Sequence, residues 1–206
     1  MRKILTLLLL LGFTSMAWAG YEEGVDYEVL ANAQHAPTDG KVQVIEFFSY
    51  ACPHCYRFEP YIEQWKKTKP DNVEFVHVPA IFSKNWEALA SLYYAAEILG
   101  VQEKMHPLIF DAMHGKGKKV RSFDELKVLF EANGVSSDKL EQALNSFSMA
   151  AKTRRAKSMT QSYGIKSVPN IVVQGKYRTN STLVHDHENV FKVVDFLIEK
   201  VEKDQK

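Results

Sequence analysis

Cysteine is scarce in this chain: only two of its 206 residues, Cys52 and Cys55, are of that type. A scaffold built from several disulfides is therefore excluded. An excess of charge of one sign is also lacking, because 26 basic and 25 acidic residues leave a formal net charge of +1. That balance does not favour nucleic acid or an anionic membrane as a partner. Repeats, low-complexity blocks and long Pro/Gly linkers are missing too, so we expect one globular domain.

The apolar run at residues 4–13 is too short for a permanent membrane anchor. As a helix it would span about 15 Å, against the roughly 30 Å of a bilayer core. Two basic residues precede this run, and Ala17-Trp18-Ala19 follows it as a small-residue cleavage site. We expect residues 1–19 to be a signal peptide that is cleaved after Ala19. Residues 20–206 would then work in an extracytoplasmic, oxidising compartment.

Hydrophobic patterning predicts a βαβ unit in the first part of the mature chain. Val42 to Phe48 is an almost continuous apolar run, which is typical of a buried strand. A helix is predicted from Cys52 to about Thr68, and a second strand, parallel to the first, from Val73 to Val78. A shorter strand is predicted at Tyr27 to Leu30.

The pattern then changes to helical periodicity and stays so until Tyr163. This stretch is too long for one crossover helix, so we expect a helical insertion at about 83–150. Asn170 to Val173 and Lys176 to Arg178 follow as a predicted hairpin, and Asn189 to Val201 as an amphipathic closing helix. The element order predicts an α/β fold with a mixed central sheet.

The two cysteines form an isolated C-x-x-C pair at the junction of the buried strand and the first helix. As a structural cross-link, so short a loop would contribute only about 2 kcal/mol. A structural zinc site needs four ligands, and no second C-x-x-C exists. Haem attachment needs C-x-x-C-H, but Tyr56 occupies the histidine position. The remaining interpretation is a redox-active dithiol, and we expect a Cys52–Cys55 disulfide in its oxidised form.

Helix-start chemistry gives the two sulfurs different roles. If Cys52 caps the helix that Pro53 opens, unpaired N–H groups and the helix dipole favour its thiolate. His54, in the same turn, would stabilise that anion further, or be an exposed residue without a role. Cys52 is therefore predicted to be the accessible nucleophile, and Cys55, one turn inside, its shielded partner. A stabilised thiolate makes the disulfide a strong oxidant.

The segment from Glu46 to Glu59, EFFSYACPHCYRFE, resembles the active-site segment of the DsbA family. Members of that family are periplasmic thiol:disulfide oxidoreductases with a thioredoxin fold. Ser167-Val168-Pro169 resembles the cis-proline loop of the family, and the helical insertion matches in place and length. The resemblance covers nearly the whole mature chain and implies a thioredoxin-like fold with an inserted helical subdomain.

The resemblance also implies an activity and partners. The chain would be a protein dithiol oxidase that donates its disulfide to reduced, newly exported proteins in the periplasm. A quinone-linked inner-membrane partner of the DsbB type would reoxidise it, and no cofactor besides the redox-active disulfide is expected. We expect a monomer. Two alternatives remain open: a disulfide isomerase or reductase, and a peptide-binding chaperone whose redox pair is incidental.

Further site residues follow from the same resemblance. Pro169 is expected to be cis, which would leave the backbone of Val168 beside Cys52 for an extended client peptide. Glu46 shares a strand face with Val44 and Phe48 by alternation, so it is a candidate buried acid that exchanges a proton with Cys55. The alternative is a carboxylate satisfied by backbone or water. Glu59 is a candidate for tuning the redox pair.

Metal binding is not expected from the sequence. His185-Asp186-His187 is a lone H-x-H in a polar stretch, which is a weak pattern. His106 and His114 lie two helical turns apart without an acidic partner in the pattern, which favours a surface or core-packing position for each.

Overall fold

A computed structural model describes residues 20–34, 40–117, 120 and 122–204. The signal peptide expected at 1–19 lies outside these described residues. Among the helices within them, none is long and apolar enough to cross a membrane.

The described chain forms, in order, β1 (Glu28–Val29), β2 (Val42–Phe48), α1 (Pro53–Lys66), β3 (Val73–Pro79), α2 (Lys84–Ile98), α3 (Gln102–His114), α4 (Phe123–Ala132), α5 (Ser137–Leu144), α6 (Phe147–Ser162), β4 (Asn170–Val173), β5 (Tyr177–Thr179), α7 (Ser181–Val184) and α8 (His187–Asp204).

The strands form one mixed sheet in the order β1-β5-β4-β2-β3. β2 and β3 are parallel, whereas the pairs β2 with β4, β4 with β5 and β1 with β5 are antiparallel. The predicted βαβ unit and the mixed sheet are thus confirmed. β2 lies between two neighbours and is buried over nearly its whole length, which explains why its sequence is an apolar run.

The hairpin between β4 and β5 is confirmed as well. Gln174 and Gly175 have φ angles of 48° and 63°, and Val173 pairs directly with Tyr177. Two consecutive residues with positive φ form the turn whose twist suits an antiparallel pair.

Among the described residues between Lys84 and Ser162, the helices follow one another without an intervening strand, as the insertion requires. Ser122 and Glu125 form the reciprocal capping box at the start of α4 that the sequence pattern predicts. The expected boundary near position 150 falls inside α6, which continues to Ser162 and packs on α2 and α5.

Two hydrophobic clusters cover the two faces of the sheet. Ile45 and Phe47 of β2 point into the cluster that the insertion supplies. Phe48, the last residue of the strand, packs into this cluster too, and not on the face of Val44, which alternation predicts for it. Val42 and Val44 point the other way, into a cluster with α1 and α8. The alternation along β2 therefore decides which side chains lie beneath α1.

The apolar face of α1 follows helical spacing, with Cys55, Phe58, Ile62 and Trp65 buried. Phe58 and Trp65 both stack on Phe191 of α8, with ring centroids 5.2 Å apart in each case. This packing fixes α1, and with it the position of the cysteine pair at its start.

Candidate active site at the start of α1

Cys52 caps α1, and Pro53 is the first residue of the helix. The backbone at Cys52 is extended, so the helix begins only after it. The backbone N–H groups of His54 and Cys55 have no partner within the first helical turn and lie toward the Cys52 sulfur. The predicted capping position is confirmed.

The two sulfurs have opposite acidities. The pKa of Cys52 is lowered from 9.0 to about 6, first because the Cys55 thiol donates a hydrogen bond to it, and then because the nearby backbone N–H groups of Cys55 and His54 stabilise the thiolate. Partial burial opposes this shift. The pKa of Cys55 is raised, mainly because the side chain is fully buried. At neutral pH the reduced pair therefore consists of a Cys52 thiolate and a Cys55 thiol, and both cysteines are free in this structure.

His54 has a smaller part in this asymmetry than the sequence suggests. Its charge is the weakest of the causes that lower the Cys52 pKa. Its Nδ1 lies 3.0 Å from a guanidinium nitrogen of Arg57, which donates to it on the exposed side of α1. Arg57 thus fixes the orientation of the imidazole, a role that the sequence pattern did not indicate.

The peptide bond between Val168 and Pro169 is cis, as the resemblance implies. The Cys52 thiol lies 3.5 Å from the carbonyl oxygen of Val168, so this loop adjoins the accessible sulfur. Asn170 holds the loop in place, because its side-chain amide donates to the carbonyl of Ser167 at 2.7 Å.

Glu46 lies fully buried on the face of β2 that α1 covers. Its Oε2 is 2.7 Å from Nδ1 of His77, whereas its Oε1 has no hydrogen-bond partner among the described residues. Burial raises the pKa of Glu46, and the negative charges of Glu59 and Cys52 raise it further. Burial also lowers the pKa of His77. Burial therefore favours the neutral forms of both groups, and with them a hydrogen bond over an ion pair.

The burial predicted for Glu46 is confirmed, and its Oε2 is bonded to the side chain of His77. An ionised Glu46 would raise the pKa of Cys55 further, so the acid and the inner thiol are electrostatically coupled.

Glu59 lies one turn after Cys55 on α1 and is mostly buried, with 14% of its side chain exposed. Its Oε2 is 3.3 Å from Nε2 of His106 on α3. Because its charge raises the pKa of Glu46, Glu59 acts on the electrostatics beneath the cysteine pair.

Residues 43–197 match the family model described as "DSBA-like thioredoxin domain". The chain belongs to the DsbA-like thioredoxin-domain family. The thiol:disulfide interchange protein DsbA of Burkholderia cepacia is 37% identical and covers 98% of each chain, and that of Azotobacter vinelandii is also 37% identical, over 90% of this chain and 87% of its own.

Solved DsbA structures have the same fold. The crystal structure of Pseudomonas aeruginosa DsbA superposes with a TM-score of 0.83 at 34% identity, covering 90% of this chain and 96% of that one. The Neisseria meningitidis oxidoreductase NmDsbA1 superposes with a TM-score of 0.76 at 30% identity, covering 91% of this chain and 97% of that one. The thioredoxin-like fold with a helical insertion, expected from the DsbA resemblance, is confirmed.

Several residues around the DsbA motif were missed as site residues. Tyr50 is fully buried, and its hydroxyl lies 2.9 Å from Nδ1 of His106. His114 donates from Nε2 to the carbonyl of Tyr50 at 2.7 Å, and the hydroxyl of Tyr56 donates to Asp111 at 2.8 Å. Helix α3 of the insertion therefore holds the active-site segment from one side.

The sequence contained no spacing pattern that could have revealed these contacts. His77, His106 and Tyr50 come from β3, α3 and the loop before α1, and only tertiary packing brings them together. His106 was predicted to take a surface or core-packing position; it is buried, and it also bonds Tyr50.

Proposed function

We propose that this DsbA-family protein is a protein dithiol oxidase, which donates a Cys52–Cys55 disulfide to reduced, newly exported proteins. The observation that carries this proposal is the asymmetry of the pair, with a Cys52 pKa of about 6 beside a Cys55 whose pKa is raised. Stabilising the reduced thiolate weakens the disulfide, and a weak disulfide is readily transferred to a client.

The reaction balances as two thiol–disulfide exchanges. A client thiolate attacks the Cys52 sulfur, a new S–S bond forms, and the bond to Cys55 breaks. A second client thiolate then attacks the client sulfur of this mixed disulfide and releases the Cys52 thiolate. Two electrons pass from the client to the protein, so the client gains a disulfide and the protein becomes the dithiol.

Cys55 needs a proton as it leaves, because its raised pKa makes a buried thiolate unfavourable. We assign Glu46 to this step as a proton donor and acceptor, since it is buried on the face of β2 that α1 covers and its pKa is raised. A raised pKa keeps the acid protonated, which is the form that can donate. Glu59 tunes the pair indirectly, through its charge beside Glu46.

The loop at Val168 and Pro169 is proposed to hold the client. Its backbone lies beside the Cys52 sulfur, where an extended peptide can add main-chain hydrogen bonds while its cysteine approaches. Main-chain recognition of this kind tolerates many sequences, as a general oxidase requires.

The activity is tested by mixing oxidised protein with an equimolar reduced peptide that contains two cysteines. We expect one client disulfide for each protein disulfide consumed, and an equilibrium with glutathione in which the reduced protein dominates. A protein that instead reshuffles scrambled disulfides only when it is reduced would be an isomerase. Two results together would indicate a chaperone. The wild type would be unable to oxidise the peptide, and a Cys52→Ser variant would still protect unfolded clients.

The cellular setting is proposed from the resemblance and from the expected signal peptide. The mature protein would be a periplasmic monomer that is reoxidised by a DsbB-type quinone-linked membrane partner. Fractionation of expressing cells tests the location, and native mass measurement tests the monomer. Reoxidation of the dithiol by membranes that contain a quinone reductase of that type, and not by membranes that lack it, tests the partner.

A further inference from the structure

Three potential metal ligands meet beneath the active-site helix. Glu59 of α1, His77 of β3 and His106 of α3 each offer one ligand atom, and these atoms lie within 4.8 Å of one another. His77 and His106 are buried, and Glu59 is mostly so. Because the three come from separate elements, no sequence spacing indicates the cluster, and the sequence alone led us to expect no metal.

Both histidines are held by their Nδ1 atoms. Nδ1 of His77 is bonded to Glu46 at 2.7 Å, and Nδ1 of His106 to the Tyr50 hydroxyl at 2.9 Å. In each ring Nε2 is the nitrogen left for another partner. A histidine that binds a metal typically has its second nitrogen fixed by a carboxylate or other polar group in this way.

Two polar atoms of the cluster lack the partners that their burial demands. Nε2 of His106 and Oε1 of Glu59 are both buried without a hydrogen bond among the described residues. Leaving such an atom unsatisfied costs about 1–3 kcal/mol, so native structures rarely keep two together. Nε2 of His106 lies 3.3 Å from Oε2 of Glu59. Ligands about 2.0–2.1 Å from a tetrahedral metal are separated by about 3.3 Å.

A groove of about 1440 Å³ gives access to the cluster, since Glu59, His77 and His106 are among its lining residues. We propose that these three residues form a binding site for a divalent transition-metal cation of the zinc class, with a fourth coordination position open to the groove. Two imidazoles and one carboxylate suit zinc, and three protein ligands with one open position are typical of accessible zinc sites.

A cation at this site would join α1 to β3 and α3, and would neutralise the charge of Glu59. Because it would bind the native fold and not the unfolded chain, it would raise the unfolding temperature as its concentration increases. The competing interpretation is that a protonated His106 pairs with Glu59 and no metal binds.

The test uses the mature protein with the Cys52–Cys55 disulfide formed, so that thiolates cannot bind the metal. Zn²⁺ is titrated against a chromophoric chelator, and Co²⁺ is added separately for its visible absorption. His77→Asn and His106→Asn are the test variants, because the Asn amide can replace Nδ1 toward Glu46 or Tyr50 while Nε2 is removed. His185→Asn, at an exposed position outside the cluster, is the matched control.

We expect oxidised wild type and His185→Asn to bind one Zn²⁺ with equal affinity. Each test variant should bind Zn²⁺ more than about 100-fold more weakly than wild type. A loss of this size exceeds the usual effect of removing a residue that only hydrogen-bonds a metal ligand. If either variant fails to fold in chelator, Glu59→Gln replaces it and should show the same loss. The proposal is overturned if the folded oxidised wild type binds no Zn²⁺, or if binding persists in the variants. Since oxidase activity is not measured, the result is independent of the proposed function.

Discussion

Glu46 and His77 are register partners on the parallel strands β2 and β3, and their side chains meet at 2.7 Å between Oε2 and Nδ1. Direct register places both residues on the same face of the sheet, beneath α1. A buried acid with a neutral partner keeps its proton, whereas a cationic partner would remove it. Burial and this pairing therefore favour the protonated form of Glu46 on the inner side of the cysteine pair.

The acidity of Cys52 should depend most on Cys55. In reduced wild type, the ultraviolet absorbance of the thiolate should titrate with a midpoint of about 6. Cys55→Ala removes the thiol that donates to the Cys52 sulfur, so the midpoint should move toward the ordinary value of 9.0. Cys52→Ser is the control and should show no transition near pH 6. A midpoint that is the same in Cys55→Ala as in wild type would contradict this prediction.

Substitution of His54 should raise the Cys52 pKa less than loss of Cys55 does. The charge of His54 is the weakest of the causes that favour the thiolate, and its Nδ1 is already bonded to Arg57. We expect the order Cys55→Ala, then His54→Ala, then Arg57→Ala in the size of the shift, measured by the same absorbance titration. A larger shift in His54→Ala than in Cys55→Ala would reverse the assigned order of causes.

The stability of the reduced protein should depend on pH in a defined window. The Cys52 pKa is lower in the fold than in the unfolded chain, so its stabilising effect is complete above about 9 and is lost as the pH falls through about 6. The oxidised protein lacks this thiolate. Denaturant unfolding of both forms from pH 5 to 9 should show a larger free energy of unfolding for the reduced form at pH 9. The difference between the two free energies should decrease toward pH 5. A difference that is constant over this range would argue against a stabilised thiolate.

Replacing Glu46 should separate stability from activity. Its pKa is raised by burial, so the fold favours the protonated acid and loses stability as the pH rises above the ordinary value of 4.5. Glu46→Gln removes this loss and can keep the bond to His77, so the variant should be more stable than wild type at pH 7 and not at pH 4. Client oxidation should slow on the order of 100-fold, because a proton donor is lost. Unfolding curves and single-turnover peptide oxidation measure the two effects, and an unchanged rate would exclude Glu46 from proton transfer.

Two tyrosine substitutions test how helix α3 supports the active-site segment. Tyr50→Phe removes a buried hydroxyl bonded to His106, so it should lower the free energy of unfolding by about 1–3 kcal/mol. Tyr56→Phe, the matched control, removes a solvent-exposed bond to Asp111 and should lower the stability less. Denaturant unfolding measures the loss of stability in both variants. Equal losses would show that the bond between Tyr50 and His106 is not what holds the active-site segment.

The sequence was sufficient where the interaction is local. A nearly continuous apolar run predicted β2, and helical patterning predicted α1 and the closing helix. A tight turn was predicted at Gln174-Gly175. The position of Cys52 at the helix start was also predicted, since a cap depends on neighbouring residues. Helix α7 was not predicted, because its four residues are too few to establish a period.

The polar groups beneath the cysteine pair could not be predicted, because they depend on register and on helix packing. Alternation indicated that Glu46 is buried, but its pairing with His77 follows from the register of β2 and β3. His106 reaches Tyr50 and Glu59 only because α3 packs against α1. Such contacts join residues far apart in the chain, and no short pattern encodes them.

The attachment of α3 to the active-site segment limits what can be removed from this protein. A chain shortened to its sheet with α1 and α8 would expose Phe48 and would leave the Tyr50 hydroxyl and carbonyl without the histidines that bond them. The inserted helices are therefore not a dispensable addition to a minimal redox domain. Engineering of the insertion must keep α3, whereas α4, whose Val128 is exposed, is the freer place to change.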